Sequence, residues 1–241
     1  MNPKKRYTHI FFDLDNTLWD FKTNSKNAME ETFFEYKLQS QTNFDLFFDV
    51  YSKHNHNLWD KYRKKEVNKN ELTKLRFQNT FEEIGIMGIK AEKMNELYLA
   101  VMPKQKELFP DVLSTLNYLK NRNYRLNIIT NGFKEVQYRK IDSSGLRPFF
   151  EKIFISEEVK SHKPERKIFE YAIKSTNAKK VNSIMVGDDF DVDIMGAIQF
   201  GIDAVLFKPY SQKGANTKKY PIEHKGLINR ISSFNALLSF F

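Results

Sequence analysis

Aspartates crowd the places in this 241-residue chain where chemistry could occur. Asp13-Leu14-Asp15-Asn16-Thr17 follows the β-rich run Tyr7-Thr8-His9-Ile10-Phe11-Phe12. Gly187-Asp188-Asp189, with Asp191 and Asp193 close behind, follows Ser183 to Val186, and Thr130-Asn131-Gly132 ends the run Leu126 to Thr130. A carboxylate can serve as nucleophile, as general acid or base, or as a hard metal ligand. Several carboxylates brought to one place repel each other unless a cation neutralises them. With oxygen donors and no nearby His or Cys, Mg²⁺ fits such a set best. A lone Asp-x-Asp is common in surface turns, so the inference rests on the combination of segment ends. Lys163, in Ser161-His162-Lys163-Pro164 ahead of Ile168-Phe169, supplies a candidate cation beside a proline-started helix.

These residues converge only if the segments before them are strands of one sheet. Beyond Pro110 the pattern alternates: helix over Val112 to Leu119, strand to Thr130, helix over Val136 to Ser144, then strand-like Ile153-Phe154-Ile155. A helix over Lys167 to Lys174, a strand at Ser183 to Val186, a helix over Ile194 to Phe200 and a strand at Ala204 to Phe207 complete the series. Strands separated by helices predict an α/β fold, a doubly wound, Rossmann-like parallel sheet, with ligands beyond the carboxyl ends of its strands. From about 22 to 104 the spacing is helical instead, as in Ala28, Thr32, Phe33 and Tyr36, and in Leu72, Leu75, Phe77 and Phe81. The expected organisation is a discontinuous core of 1–17 and 105–241, with an α-helical domain, 18–104, inserted after the first motif.

Composition narrows the class. An apolar fraction of 41% against 29% charged supports a buried core and excludes wholesale disorder. No cysteine is present, which removes disulfides, thiolate metal sites and a cysteine nucleophile. The basic N-terminus is followed by too short an apolar run for a signal peptide, and no stretch approaches a membrane span, so a cytoplasmic location is expected. Net charge is +9, but the excess is scattered, with small clusters at Lys4-Lys5-Arg6, Lys179-Lys180 and Lys218-Lys219. No nucleic-acid-binding pattern accompanies it, so a solvated surface is expected and no nucleic-acid polymer as partner; such a field would also attract small phosphorylated substrates.

Taken together, the motifs resemble the haloacid dehalogenase superfamily over nearly the whole chain. The first is similar to Phe11 through Leu18 and the second to Ile128-Ile129-Thr130-Asn131-Gly132. The third is similar to Lys163-Pro164 with Ile168-Phe169, and the fourth to Gly187-Asp188-Asp189 through Asp193-Ile194 and Gly196-Ala197. The resemblance implies that Asp13 is the nucleophile, forming an aspartyl-phosphate, and that Asp15 is the general acid and then the general base. It implies that Thr130 and the Asn131 amide, with Gly132, bind phosphate and that Lys163 offsets charge. Asp13, the Asp15 carbonyl and Asp188 would hold Mg²⁺, with Asp193 in support. Asp189 and Asp191 read as solvated loop acids, and His162 as a surface residue without a role.

In this superfamily the dehalogenases lack a second aspartate, because halide leaves without a proton. Asp15 therefore argues for phosphate-ester chemistry, by a phosphatase or a phosphosugar mutase. The helical insert resembles the family's cap, which closes over the site and selects the substrate. Leu58-Trp59-Asp60-Lys61-Tyr62, Glu71-Leu72, Arg76-Phe77 and Ile155-Ser156-Glu157-Glu158-Val159 tighten the likeness to bacterial nucleoside 5′-monophosphatases. Tyr62, Arg76 and Trp19 are the candidate contacts to the rest of the substrate, although for Trp59, Tyr62 and Arg76 packing between cap helices is favoured over contact with a base. A phosphatase for a sugar phosphate, and a phosphate-binding module without activity, are the alternatives. A monomer or homodimer is expected, since no heptad pattern marks an interface.

Overall fold

The computed structural model describes residues 7–209 and 227–241, the stretch 227–229 as backbone only. The chain up to Phe21 forms one compact unit with the chain from Lys106 onward, and Lys22–Gln105 forms the other. The boundaries lie slightly beyond the expected 17/18 and 104/105. The reason is pairing between the two crossing segments: Asp20 N–H donates to Glu107 O (3.0 Å), and Phe109 N–H donates to Leu18 O (3.1 Å).

The helical unit holds α1 (Phe21–Glu35), α2 (Phe44–Arg63), α3 (Lys69–Ile84) and α4 (Ala91–Val101). Local signals set their ends. Asn43 caps α2 by accepting from Leu46 N–H. Asn68 and Glu71 cap α3 reciprocally, satisfying two otherwise orphaned amides. Gly85 ends α3 at φ 79°, a left-handed position where a side chain would be strained. The inward face of α3 is Leu72, Arg76, Phe77, Thr80 and Phe81, so Arg76 takes an inward place in the stripe and Leu75 sits at its margin.

The second unit is a six-stranded sheet of β1 (His9–Phe12), β2 (Arg125–Thr130), β3 (Lys152–Ile155), β4 (Ser183–Gly187), β5 (Asp203–Phe207) and β6 (Leu227–Ile231). All neighbours are parallel, in the order β3-β2-β1-β4-β5-β6. β1, β4 and β5 are buried along their whole length, as a parallel sheet covered on both faces requires. Connections run through α5 (Val112–Asn121), α6 (Lys134–Ser143), α7 (Ser156–Val159), α8 (Arg166–Thr176) and α9 (Gly196–Phe200). Alternation along β1 divides the core. Phe11 joins Ile168, Phe169 and Ala172 of α8 and Ala197 of α9, whereas Phe12 meets Phe150 and Phe234 on the other side. Among the described residues the strand not foreseen is β6, whose short apolar run is interrupted by Asn229 and Arg230.

The Lys4–Arg6 and Lys218–Lys219 clusters lie outside the described residues. The third is no open patch: the Lys180 ammonium donates to Phe200 O (2.8 Å) and sits 3.7 Å from the Phe200 ring centre. Among the described residues, no helix is long and apolar enough to cross a membrane.

Candidate active site

The register of the sheet brings the acidic loops to one edge. Phe12 pairs with Ile128 on one side and Val186 on the other, so Asp13, Thr130 and Asp188 emerge together at the carboxyl ends of β1, β2 and β4. Asp13, Asp188 and Asp193 place carboxylate oxygens within 4.8 Å of one another. Lys163 is buried between two of them, its Nζ donating to Asp13 Oδ1 at 2.5 Å and meeting Asp193 Oδ1 at 2.7 Å. Its main chain is clamped by Asn131, which accepts from Lys163 N–H and donates to Lys163 O, both at 2.9 Å. The Asn131 side chain thus braces the lysine, a task separate from the phosphate contact expected of its amide. Gly132 N–H is already directed to Ser156 Oγ (3.2 Å).

The fourth motif is built on a tight turn. Asp189 caps a π-helical turn, Phe190–Met195, by accepting from the Asp191 and Val192 amides. That resolves Asp189 as a turn former, while Asp191 stays exposed. The turn carries Asp193 inward, where its Oδ2 accepts from Asp189 N–H (3.1 Å). A Cβ on Gly187 would lie 2.4 Å from Asp193 Oδ2, so only glycine lets β4 end against this carboxylate. With its oxygens engaged by Lys163 and the Asp189 amide, Asp193 acts as a brace.

Crowding sets the electrostatics. Burial pushes the Asp13 carboxyl up to about 7, against the pull of Lys163 and with the help of Asp193. Burial, then Asp13 and Asp193, hold Asp188 well above the usual carboxylate range. Burial alone would lower Lys163, but Asp13 and Asp193 outweigh it and keep its ammonium above its ordinary value. Two carboxyls resisting ionisation despite the Lys163 ammonium, with oxygen donors alone, form a donor set that a hard divalent cation such as Mg²⁺ fits.

Asp15 stands apart from this cluster. Lys140 Nζ donates to its Oδ1 (2.7 Å), and Gln137 Nε2 donates to its Oδ2 (2.9 Å) and to Thr130 Oγ1 (2.7 Å). Neither Gln137 nor Lys140 stood out in the sequence. The available signal was the inward stripe of α6, Val136, Gln137, Lys140 and Ile141, in which two polar side chains hold places an apolar residue would normally take.

Three expectations need correction. Trp19 is fully buried, its ring 4.5 Å from the Lys140 ammonium, and packs rather than presenting a surface to a substrate. Arg76 is buried inside the helical unit, donating to Asn95 and Asn55 and lying over the rings of Tyr51, Phe77 and Tyr98. It is an internal tie of that unit, not a substrate contact. His162 is half-buried rather than exposed. Tyr62 is half-buried on α2, edge to face with Trp59.

A haloacid dehalogenase-like hydrolase family model matches residues 10–207. Pyrimidine 5′-nucleotidase YjjG of Escherichia coli (strain K12) is 33% identical over 198 residues, covering 82% of this chain and 84% of its own. A glyceraldehyde 3-phosphate phosphatase of Methanothermobacter thermautotrophicus is 31% identical over 202 residues, covering 82% and 84%. Among solved structures, the putative HAD-hydrolase YfnB from Bacillus subtilis, bound to magnesium, matches with a TM-score of 0.84. At 24% identity over 98% of each chain, that likeness is one of fold. The family match runs from β1 to the end of β5 and takes in all four acidic and basic loops: the chain belongs to the haloacid dehalogenase-like hydrolases.

Proposed function

We propose that this chain is a Mg²⁺-dependent phosphomonoester hydrolase that works through an aspartyl-phosphate and acts on nucleoside 5′-monophosphates. One observation carries the chemistry: Asp13 and Asp15, with only Leu14 between them, sit in separate surroundings, one against Lys163 and the other against Gln137 and Lys140. Two carboxylates in different settings suit two different tasks. Asp13 attacks phosphorus as its bond to the ester oxygen breaks, and Asp15 protonates the departing oxygen. Asp15 then takes a proton from the water that attacks the aspartyl-phosphate, and inorganic phosphate leaves with Asp13 restored. Thr130 and the Asn131 amide hold phosphoryl oxygens, and Lys163 balances their charge. Asp13, Asp188 and the Asp15 carbonyl would hold Mg²⁺, which when bound stabilises charge on the phosphoryl group. The magnesium-bound YfnB structure supports that choice of ion.

The nucleotide reading is supported by YjjG being a pyrimidine 5′-nucleotidase at 33% identity over most of both chains. Its test is a screen of nucleoside 5′-monophosphates beside sugar phosphates, with Mg²⁺ and product analysis. Faster turnover of a nucleotide and loss of turnover in Asp13→Asn are expected. Equal or better turnover of a sugar phosphate, glyceraldehyde 3-phosphate included, would refute the nucleotide choice. Interconversion of phosphosugars would make the protein a mutase.

A further inference from the structure

We infer that Lys140 and Gln137 are positioning residues that hold the Asp15 carboxylate by both oxygens and tie it to the phosphate-binding hydroxyl of Thr130. This rests on Asp15 as acid and base, and concerns what aims it. The Lys140 side chain is 2% exposed, yet it reaches Asp15 Oδ1 at 2.7 Å. Its ammonium is flanked by the rings of Trp19 at 4.5 Å and Phe21 at 5.3 Å, which fix where it can lie. Gln137, 1% exposed and one helical turn earlier on α6, uses a single NH₂ group for two acceptors, Asp15 Oδ2 at 2.9 Å and Thr130 Oγ1 at 2.7 Å. An amide fork between these groups fixes the distance from the proton-transfer carboxylate to the phosphate cradle.

A second, independent feature makes room for the fork. A Cβ on Gly132 would lie 2.7 Å from Gln137 Cδ and 2.8 Å from its Cγ, closer than real Cβ contacts come. Any side chain at 132 would push the amide off both acceptors. The glycine that follows β2 therefore serves the arm that holds Asp15. Rotation of Asp15 away from its two donors would leave the carboxylate on the same loop but aimed elsewhere. A displacement of about 1 Å in such a group costs on the order of 100-fold in rate.

The experiment compares Lys140→Met, Lys140→Arg and Gln137→Leu with wild type, using a nucleoside 5′-monophosphate and p-nitrophenyl phosphate, with Mg²⁺ saturating. A nitrophenolate departs without a proton, so formation of the aspartyl-phosphate from that ester does not need Asp15, whereas its hydrolysis does. Lys140→Met should keep the rapid nitrophenolate burst within about threefold of wild type. Its steady-state kcat on both substrates should fall by about 100-fold; on the aryl ester phosphoenzyme should accumulate and KM should fall in step with kcat, leaving kcat/KM within about threefold of wild type. Lys140→Arg, which keeps the charge and donors, should recover most of the loss. Gln137→Leu should show the same split between burst and steady state. A purely packing role would slow the burst as much as the steady state and would not be rescued by arginine, and that outcome overturns the inference. So does an unchanged steady state on p-nitrophenyl phosphate in both Lys140→Met and Gln137→Leu. The aryl ester decides this whatever the physiological substrate is. Wild-type protein that turns over p-nitrophenyl phosphate but no nucleotide refutes the nucleotide reading alone.

Discussion

With divalent ions chelated, raising the pH from 5 to 8 should weaken wild-type protein relative to Asp13→Asn, because folding holds the Asp13 carboxyl near 7 instead of 3.8. Between those values the folded state binds more protons than the unfolded one, so stability falls as pH rises and levels off above about 7. At about 1.4 kcal/mol for each pH unit separating the two values, the full cost is about 4 kcal/mol. About 3 kcal/mol of it falls between pH 5 and 8. Asp188, also held high by burial and by Asp13, adds a contribution of the same sign. Lys163 adds none in this window, because its raised value places its titration at more alkaline pH. His9, lowered first by burial, works in the opposite sense, its penalty appearing as pH falls. Asp13→Asn removes the first carboxylate and also relieves the part of the Asp188 shift that Asp13 causes, so the comparison reads the two together and leaves His9 and the rest of the chain unchanged.

The assay is thermal or urea unfolding in EDTA at pH 5 and pH 8, wild type against Asp13→Asn. The variant should gain about 3 kcal/mol on wild type across this interval, or roughly 6–12 °C in melting temperature. Mg²⁺ should restore wild-type stability at pH 8, by about 2.7 kcal/mol at a hundredfold excess over its Kd. At pH 5 the same Mg²⁺ should do far less, because it must first displace protons. Equal pH slopes for wild type and Asp13→Asn would refute the crowded-carboxylate account, as would stabilisation by Mg²⁺ that does not change between pH 5 and 8.

Gly187→Ala should cost activity at least tenfold and about 1–3 kcal/mol in stability, since its Cβ would meet Asp193 Oδ2 at 2.4 Å; kinetics and urea unfolding read both. Arg76→Leu should destabilise the helical unit by about 1–3 kcal/mol in urea unfolding, because the Asn55 and Asn95 amide oxygens lose their buried donor. KM for a nucleotide should stay within twofold in that variant, and a large rise in KM at unchanged stability would return Arg76 to the substrate. Asp188→Asn should raise the Mg²⁺ concentration needed for half-maximal turnover by more than tenfold, measured as rate against free Mg²⁺ after EDTA treatment.

The residues that the sequence hid share one cause. Charged side chains announce themselves when they stand in a motif: Asp13, Asp188 and Lys163 each follow or precede a strong apolar segment, and the parallel register brings them together. Inside a helix the same side chains are read by the opposite rule, that charge faces water. Arg76 and Lys140 both break it. Each holds an inward place in a helical stripe, Arg76 beside Leu72 and Thr80, Lys140 beside Val136 and Ile141. Each rests among aromatic rings that lower the cost of burying a cation. Their acceptors separate them. Arg76 is bonded to two neutral amides, so its charge ties helices together and asks for nothing further. Lys140 is bonded to Asp15, a residue 125 positions away, which no helical periodicity could have paired with it. A buried cation on a neutral acceptor serves packing. One aimed at the carboxylate proposed to move protons is placed to serve the reaction, and only the folded chain distinguishes the two.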